Sequence, residues 1–564
     1  MSFIRQKSGL FLCILSLIIL FLLRLPLNLS VACANENQGF AFTWGQSLLL
    51  WNELACGRGI LHVLIFAAVL KVFGFTTYSI IAIHILETII LISTGVLIYL
   101  IVKKILDSEF FAGLSVLFWL IMNLTPIGKS SLMIEILSHY TLNGETLCVL
   151  FSLGSILCLI NGGLIDTGLE MVFGKKEKVF SVAGGFLAVC SFMVKTNGAI
   201  LLIATVLWFF CLSAFQKTDF KVLSTRILYY FSGVVISLLI FYAILYSYNH
   251  DLISLWRDYY FAGSYTQEHL KSIKTLLKSF FMFMTRYTNS VSNFILFFIT
   301  IILFICGVVK SLFKNQSKVI SFWLLMSLWG FGNICVIIIP GEYQPYYYYL
   351  IWPSIAIVFV LGLYELSNRK IILAFASLFI SIFFLCRIYI SIPSHYYLIR
   401  ALTALSIFNQ PQSFQDPVLH YKANLSFRPR IFQLADAVNS LLPDKSSTFY
   451  ILDFSNKGLI AFTPLSYIYA KRYAPTTVDA GLLGVPNIIE TKLKDLKRDL
   501  ARRKPDIFIV SKSISLQPWQ VRYLPSFLEW VNNLIKEEYR LETFFNLVMP
   551  DNQSETFLIY RKIK

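Results

Sequence analysis

Between residues 34 and 62 the chain reads ANENQGFAFTWGQSLLLWNELACGRGILH, which holds Glu36, Glu53, Arg58 and His62. A carboxylate close to cations can take a proton from a nucleophile while the cations hold an anion and stabilise its departure. Glu36 is the first candidate for the base; an ordinary solvated loop carboxylate is the alternative. Glu53 is a second candidate, or simply a helix-surface charge ahead of Gly57. Arg58 offers a forked donor set suited to a phosphate, or it is an interfacial arginine with its charge in the headgroups. His62 is open to an acceptor-side or metal-ligand role, against that of an interfacial histidine.

Further along, Lys195 lies between two apolar runs, where a charge is costly unless it is used or hydrated, and a phosphate contact is the functional reading. Glu145 opens an apolar segment, which suits either helix capping or substrate contact. Asp258 in SLWRDYY and Glu342 in PGEYQPYYYY are further candidate substrate contacts. Tyr346 and Tyr347 begin a run of four tyrosines, readable as an aromatic belt at the headgroups or as a surface for a sugar or a lipid tail. His84 and Glu87 stand three apart and are placed to pair across one helical face.

These residues must be positioned by membrane-spanning helices. With 57% hydrophobic and only 14% charged residues, and a mean hydropathy of +0.69, the chain is too apolar for a soluble globular protein. A net charge of +17 raises nucleic-acid binding, but the Lys and Arg cluster in short segments between apolar runs, where membrane orientation explains them. No nucleic-acid partner is expected. The ten cysteines show no CxxC or Cys/His spacing, so no zinc or iron–sulfur site is indicated. Cys33 and Cys56 are open to a disulfide or to a role as small apolar filler.

Runs long enough to cross the bilayer fall near 9–27, 78–102, 110–126, 145–161, 179–194, 198–215, 226–247, 291–309, 319–340, 347–364 and 371–391. The first is read as an uncleaved helix starting in the cytoplasm. Eleven crossings then place the C-terminus outside, and Lys103/Lys104, Lys175/Lys176/Lys178, Lys217/Lys221/Arg226, Lys310/Lys314/Lys318 and Arg369/Lys370 all fall in cytoplasmic loops. Loop 248–290 departs from this pattern, carrying Arg257, Lys271, Lys274, Lys278 and Arg286 on the outer side. The segment 60–74 is too short to span and is expected to be interfacial or re-entrant.

From about 395 the apolar runs shorten to strand length at 447–454, 506–510, 540–549 and 556–562, alternating with helix-like stretches such as IFQLADAVNSLL and IETKLKDLKRDLARR. The expected division is a transmembrane domain over 1–394, with outer loops 28–77 and 248–290, and an extracytoplasmic α/β domain over 395–564. No nucleotide-binding fingerprint occurs.

The order of parts resembles the GT-C superfamily of integral-membrane glycosyltransferases, in particular the branch of protein O-mannosyltransferases and the lipid A aminoarabinose transferase. Glu36 in NENQGFAF stands where that family has an acidic residue in its first outer loop, Gly57 stands for its glycine, RGIL for its K-P-P-L turn and LKVFG for its L-F-G end. LNGETL (142–147), GGFLAVCSFMVKTNG (184–198) and YQPYYYYLIWP (343–353) are similar to three later family segments, and KPDIFIV, EEYRL and FLIYRK to the outer domain. The acidic pair is reduced to Asn35-Glu36, the turn prolines are replaced by Gly59 and Ile60, and Tyr346 stands where a histidine is usual.

The resemblance implies an α-helical polytopic membrane glycosyltransferase of about eleven transmembrane helices with a C-terminal extracytoplasmic α/β domain, in a bacterial inner membrane. Its donor would be a polyprenyl-phosphate-linked sugar and its acceptor a lipid, glycan or protein. A divalent metal ion is possible as a cofactor, with no ligand set assigned. Two other classes are weighed against it: a transporter or flippase, which commonly shows paired halves that are absent here, and an O-antigen polymerase or ligase, which typically lacks the terminal domain.

Overall fold

A computed structural model describes residues 2–29, 36–53, 59–123, 142, 144–163, 174–215, 220–248, 274, 278, 299–303, 305, 317–338, 345–366, 429–452, 463–476, 489–512, 524–548 and 554–563. The chain is a polytopic, mainly helical membrane protein with a small C-terminal sheet. Among the described residues six helices are long and apolar enough to cross a bilayer, namely Ser8–Asn28, Thr77–Leu106, Gly144–Asn161, Lys175–Val194, Ser224–Ser247 and Val319–Ile338. Shorter apolar helices are Ile60–Phe73, Glu109–Asn123, Thr196–Leu212 and Trp352–Glu365. Of the expected spans, 371–391 lies outside the described residues and 291–309 largely so.

The helices are numbered α1 (Ser2–Asn28), α2 (Glu36–Trp51), α3 (Ile60–Phe73), α4 (Thr77–Leu106), α5 (Glu109–Asn123), α6 (Gly144–Asn161), α7 (Lys175–Val194), α8 (Ala199–Phe215), α9 (Phe220–Ser247), α10 (Ser317–Ile338) and α11 (Trp352–Leu366). Short 3-10 turns occupy Thr196–Gly198 and Pro345–Leu350. The contacts divide the chain into two compact units. One comprises Met1–Pro26, Leu86–Ile244 and Ser264–Tyr396; the other comprises Leu27–Ile85, Leu245–Gly263 and Tyr397–Lys564.

In the first unit, helix contacts are made close by small residues, as association inside lipid requires. A Cβ on Gly185 of α7 would lie 2.0 Å from the Tyr230 carbonyl oxygen of α9, and one on Gly233 would lie 2.0 Å from the Val182 oxygen. The α6–α7 seam is laced by hydroxyls: Ser152 and Ser191 share a hydrogen bond of 3.1 Å, Ser191 Oγ donates to the Cys148 carbonyl (3.0 Å) and Ser155 Oγ to that of Gly184 (2.7 Å).

In the second unit the C-terminal segment adds α12 (Pro429–Leu441), β1 (Phe449–Leu452), α13 (Thr463–Tyr469), α14 (Ile489–Arg503), β2 (Ile507–Ser511), α15 (Pro525–Glu538), β3 (Tyr539–Val548) and β4 (Ser554–Lys562). The strand order is β1-β2-β4-β3, with β1 and β2 parallel and the other pairs antiparallel. Each of the four expected strand-length runs holds a strand. Leu493, Leu496 and Leu500 recur at helical spacing on α14 and meet Phe508, Phe527, Val531 and Ile535 in one core. Arg472 is 2% exposed and ties the α12–β1 connection: its guanidinium donates to the Leu442, Asp444 and Ser447 carbonyls.

The first-loop helices belong to this second unit. Gln46 of α2 exchanges two buried hydrogen bonds with the Ala474 backbone, donating to its carbonyl at 3.0 Å and accepting from its N–H at 3.2 Å.

Candidate functional site

The first unit concentrates buried charge at the start of α6 and the end of α7. Helix α7 stops at Val194, and Lys195 turns to an extended backbone (φ −160°, ψ 150°) before the Thr196–Gly198 turn, whose Gly198 N–H donates to the Lys195 carbonyl at 2.9 Å. Only glycine fits at 198, because a Cβ there would sit 2.2 Å from the Ser191 carbonyl carbon and oxygen. Gly144 likewise gives room to the Lys195 stem: its Cβ would lie 3.2 Å from Lys195 Cδ. The Lys195 ammonium donates to Glu145 Oε1 in an ion pair whose side chains are 10% and 1% exposed. It also stands 4.8 Å from the centroid of the Tyr347 ring.

Three of the sequence-chosen residues, Lys195, Glu145 and Tyr347, thus meet at one place, carried there by α7, α6 and the Pro345–Leu350 turn. Glu145 lies in the first turn of α6, where the helix dipole favours a carboxylate. Both the capping and the site reading of Glu145 are compatible with that position. Its Oε2 is buried with no hydrogen-bond partner among the described residues. The tyrosines that follow are interior groups: Tyr348 and Tyr349 are fully buried, Tyr348 stacking on Trp352 and Tyr349 set edge-on to Trp119.

Thr146, next to Glu145, donates its hydroxyl to Glu87 Oε2 of α4 at 3.2 Å, and Arg24 of α1 donates to the Thr88 hydroxyl at 3.2 Å. Arg24 and Glu87 are both 0% exposed. Sequence reading placed Glu87 with His84, whereas Glu87 faces Thr146 and His84 Nδ1 lies 2.8 Å from the Leu27 carbonyl oxygen. Arg24 was passed over. Its signal is a full charge inside the first apolar span, which lipid tolerates only where a partner or water meets it.

The comparisons bear on this arrangement. No family model matches the chain, and no curated protein matches its sequence. Solved structures do match its fold, among them two oligosaccharyltransferases. The Archaeoglobus fulgidus oligosaccharyltransferase in the apo form gives a TM-score of 0.51 at 10% identity, over 91% of this chain and 70% of that one. The archaeal oligosaccharyltransferase AglB from the same organism, in complex with an inhibitory peptide and a dolichol-phosphate, gives 0.52 at 10% identity, over 97% and 74%. The chain shares its fold with archaeal oligosaccharyltransferases. At 10% identity the likeness is one of fold alone. Both of these structures are oligosaccharyltransferases, and neither is of the O-mannosyltransferase or aminoarabinose-transferase branch.

Within the second unit, Glu53 is the hub of an ion-pair cluster with α14. It meets Arg503 at 3.0 Å, Arg502 at 3.6 Å and Arg498 at 3.9 Å, and the Arg503 guanidinium lies 3.7 Å from the centroid of the Trp51 ring. His62 is 3% exposed, with its ring 5.0 Å from that of Phe66. Glu36 begins α2 and Tyr346 lies in the Pro345–Leu350 turn; only their backbones are described. Arg58, Asp258 and Glu342 lie outside the described residues, as do Cys33 and Cys56. Among the described residues no group of three His, Cys, Asp or Glu side chains is placed to hold a metal ion.

Proposed function

We propose that this protein is a glycosyltransferase that moves a glycan from a polyprenyl-phosphate-linked donor to an acceptor on the non-cytoplasmic side of a bacterial inner membrane. The observation that carries the reading is the buried Lys195–Glu145 pair beside Tyr347, within a fold shared with archaeal oligosaccharyltransferases. An ammonium in a membrane bundle is expensive unless it has a use. Lys195 can supply that use by holding the donor's phosphate; Arg58 is a further candidate phosphate contact from its place in the sequence. The matched AglB structure contains a dolichol-phosphate, which supports a lipid phosphate as ligand for this fold.

Glu36 is the proposed base. It takes the proton as the acceptor's nucleophilic atom bonds to the anomeric carbon, the bond from that carbon to the phosphate oxygen breaks, and the phosphate leaves on its lipid, its charge met by cationic side chains. Glu53, held by three arginines, is less free for that task than the sequence alone suggests. Tyr347 offers a ring face to a sugar or prenyl tail, and His62, Asp258 and Glu342 remain candidate acceptor-side contacts. The motifs similar to the O-mannosyltransferase branch favour a single sugar as cargo; the oligosaccharyltransferase fold favours a longer glycan.

Purified protein assayed against a panel of polyprenyl-phosphate and polyprenyl-diphosphate sugars, with lipid, glycan and peptide acceptors, tests the reading. Transfer from one donor is expected from the wild type and loss of transfer from an inserted, folded Glu36→Gln variant. Full turnover by that variant would remove Glu36 as the base, and no transfer from any lipid-linked donor would count against the function itself.

A further inference from the structure

The Tyr347 ring stands over the Lys195 ammonium because a turn carries it there, and that turn is tied to α10. Tyr347 is half-buried, whereas Tyr348, Tyr349 and Leu350 behind it are buried. Asn333, buried within α10, donates its side-chain amide at 3.2 Å to the carbonyl of Leu350, the last residue of the Pro345–Leu350 turn. Three residues earlier on α10, a Cβ on Gly330 would lie 3.0 Å from Ser354 Oγ of α11, and that hydroxyl donates to the Ile351 carbonyl at 2.8 Å. The helix therefore grips the turn and the start of α11 through one stripe of its surface.

The neighbouring stripe of the same helical turn meets the other partner of the contact. A Cβ on Gly332 would lie 2.5 Å from Ile200 Cγ2, in the first turn of α8, which follows Lys195 and the Thr196–Gly198 turn. Further along, the Trp208 indole N–H of α8 donates to the Ser321 carbonyl of α10 at 2.9 Å. Residues 330–333 of α10 thus touch the segment that carries the ring and the segment that leads away from the ammonium.

We propose that Asn333 is a positioning residue for the anion seat, acting through Tyr347, an assignment that rests on the reading of Lys195 as the phosphate-holding residue. An amide inside a spanning helix is costly without a hydrogen bond and joins elements firmly when it makes one. The ring centroid is 4.8 Å from Lys195 Nζ, inside the reach of roughly 6 Å over which a ring face attracts a cation, so a small shift of the turn loses the contact. Glu145 and the Tyr347 ring together restrict a side chain that is otherwise rich in rotamers. An ammonium ordered before the ligand arrives binds an anion more tightly than one that must be ordered on binding.

The consequence is a dependence of one residue on another. Tyr347→Leu removes the ring and is expected to weaken anion binding about three- to tenfold, the range that a cation–ring contact covers. Asn333→Leu keeps the side-chain size but removes the donor, and is expected to weaken binding by a similar factor or less. The double variant is expected to bind no worse than Tyr347→Leu alone, because Asn333 has nothing left to position; this non-additivity is what a double-mutant cycle measures.

The probe is a short-chain polyprenyl phosphate alone, titrated into the detergent-solubilised full chain by equilibrium binding, with the unfolding temperature of each ligand-free variant recorded beside it. Asn333→Leu is expected to lower the unfolding temperature in both backgrounds but the affinity only where Tyr347 is present. Equal fractional losses of affinity with and without the ring, or wild-type affinity in Asn333→Leu, would overturn the assignment and leave Asn333 as a packing residue. If Asn333→Leu does not fold, Asn333→Ala removes the donor without added bulk and is held to the same outcomes. Lys195→Met separates the two layers: unaltered binding there takes the phosphate away from Lys195 and with it the site reading, whereas weakened binding there with a silent Tyr347→Leu defeats the role of Asn333 alone.

Discussion

Replacing Lys195 by Met removes one partner of a pair that is almost wholly withdrawn from solvent, with side-chain exposures of 10% for Lys195 and 1% for Glu145. The methionine fills most of the lysine stem's volume beside Gly144, so the main loss is electrostatic. A carboxylate deprived of its buried counter-charge typically destabilises a fold by roughly 3–5 kcal/mol. Loss of the contact to the Tyr347 ring adds about 0.5–2 kcal/mol. The single variant is therefore expected to unfold at a distinctly lower temperature in detergent. Lys195→Met with Glu145→Gln removes both charges and should recover most of that stability. The two measurements then part: if Lys195 holds the donor's phosphate, the double variant folds yet fails to transfer, since no cation replaces the lysine. Wild-type transfer by a stable double variant would refute the assignment of Lys195 to the donor and leave the pair as a structural feature.

Gly185→Leu places a side chain where even a Cβ would fall 2.0 Å from the Tyr230 carbonyl oxygen, so α7 and α9 must separate; a severe loss of folded protein by size-exclusion chromatography is expected, with a milder loss for Gly185→Ala. Arg472→Met leaves the Leu442, Asp444 and Ser447 carbonyls without their donor and should destabilise the C-terminal segment by about 2–4 kcal/mol, read as faster limited proteolysis after α12. Glu53→Gln breaks a half-exposed cluster, for which about 1 kcal/mol is expected, and the difference from wild type should shrink in high salt because such pairs are screened; a loss unaffected by salt would point to a role beyond these ion pairs.

Much of the architecture follows from composition and period. The apolar runs had to become helices, since a backbone in hydrocarbon satisfies its own hydrogen bonds only in that way. Short apolar runs after residue 395 became strands: FYIL is a buried edge strand and IFIVS lies inside the sheet, while the β3–β4 hairpin keeps Leu541 and Phe544 exposed. The IETKLKDLKRDLARR helix was legible to the residue from its leucine spacing and its charged face.

The site was legible only in part. Lys195 and Glu145 each announce themselves as charges at the ends of apolar segments, a local property. That they face one another depends on the close α6–α7 seam through Ser152, Ser155 and Ser191 and on the room left by Gly144 and Gly198, and no local pattern encodes a contact between residues fifty apart. The same holds for Glu53, whose three arginine partners lie some 450 residues downstream. The chain's hydrophobic pattern alone decided that this protein is a helical membrane bundle with an α/β appendage, because burial of apolar surface and pairing of backbone groups act on neighbours in sequence. Which buried charges neutralise which was decided by tertiary packing, because Coulomb energy depends on separation in space and on the exclusion of water, and both exist only once the helices have come together.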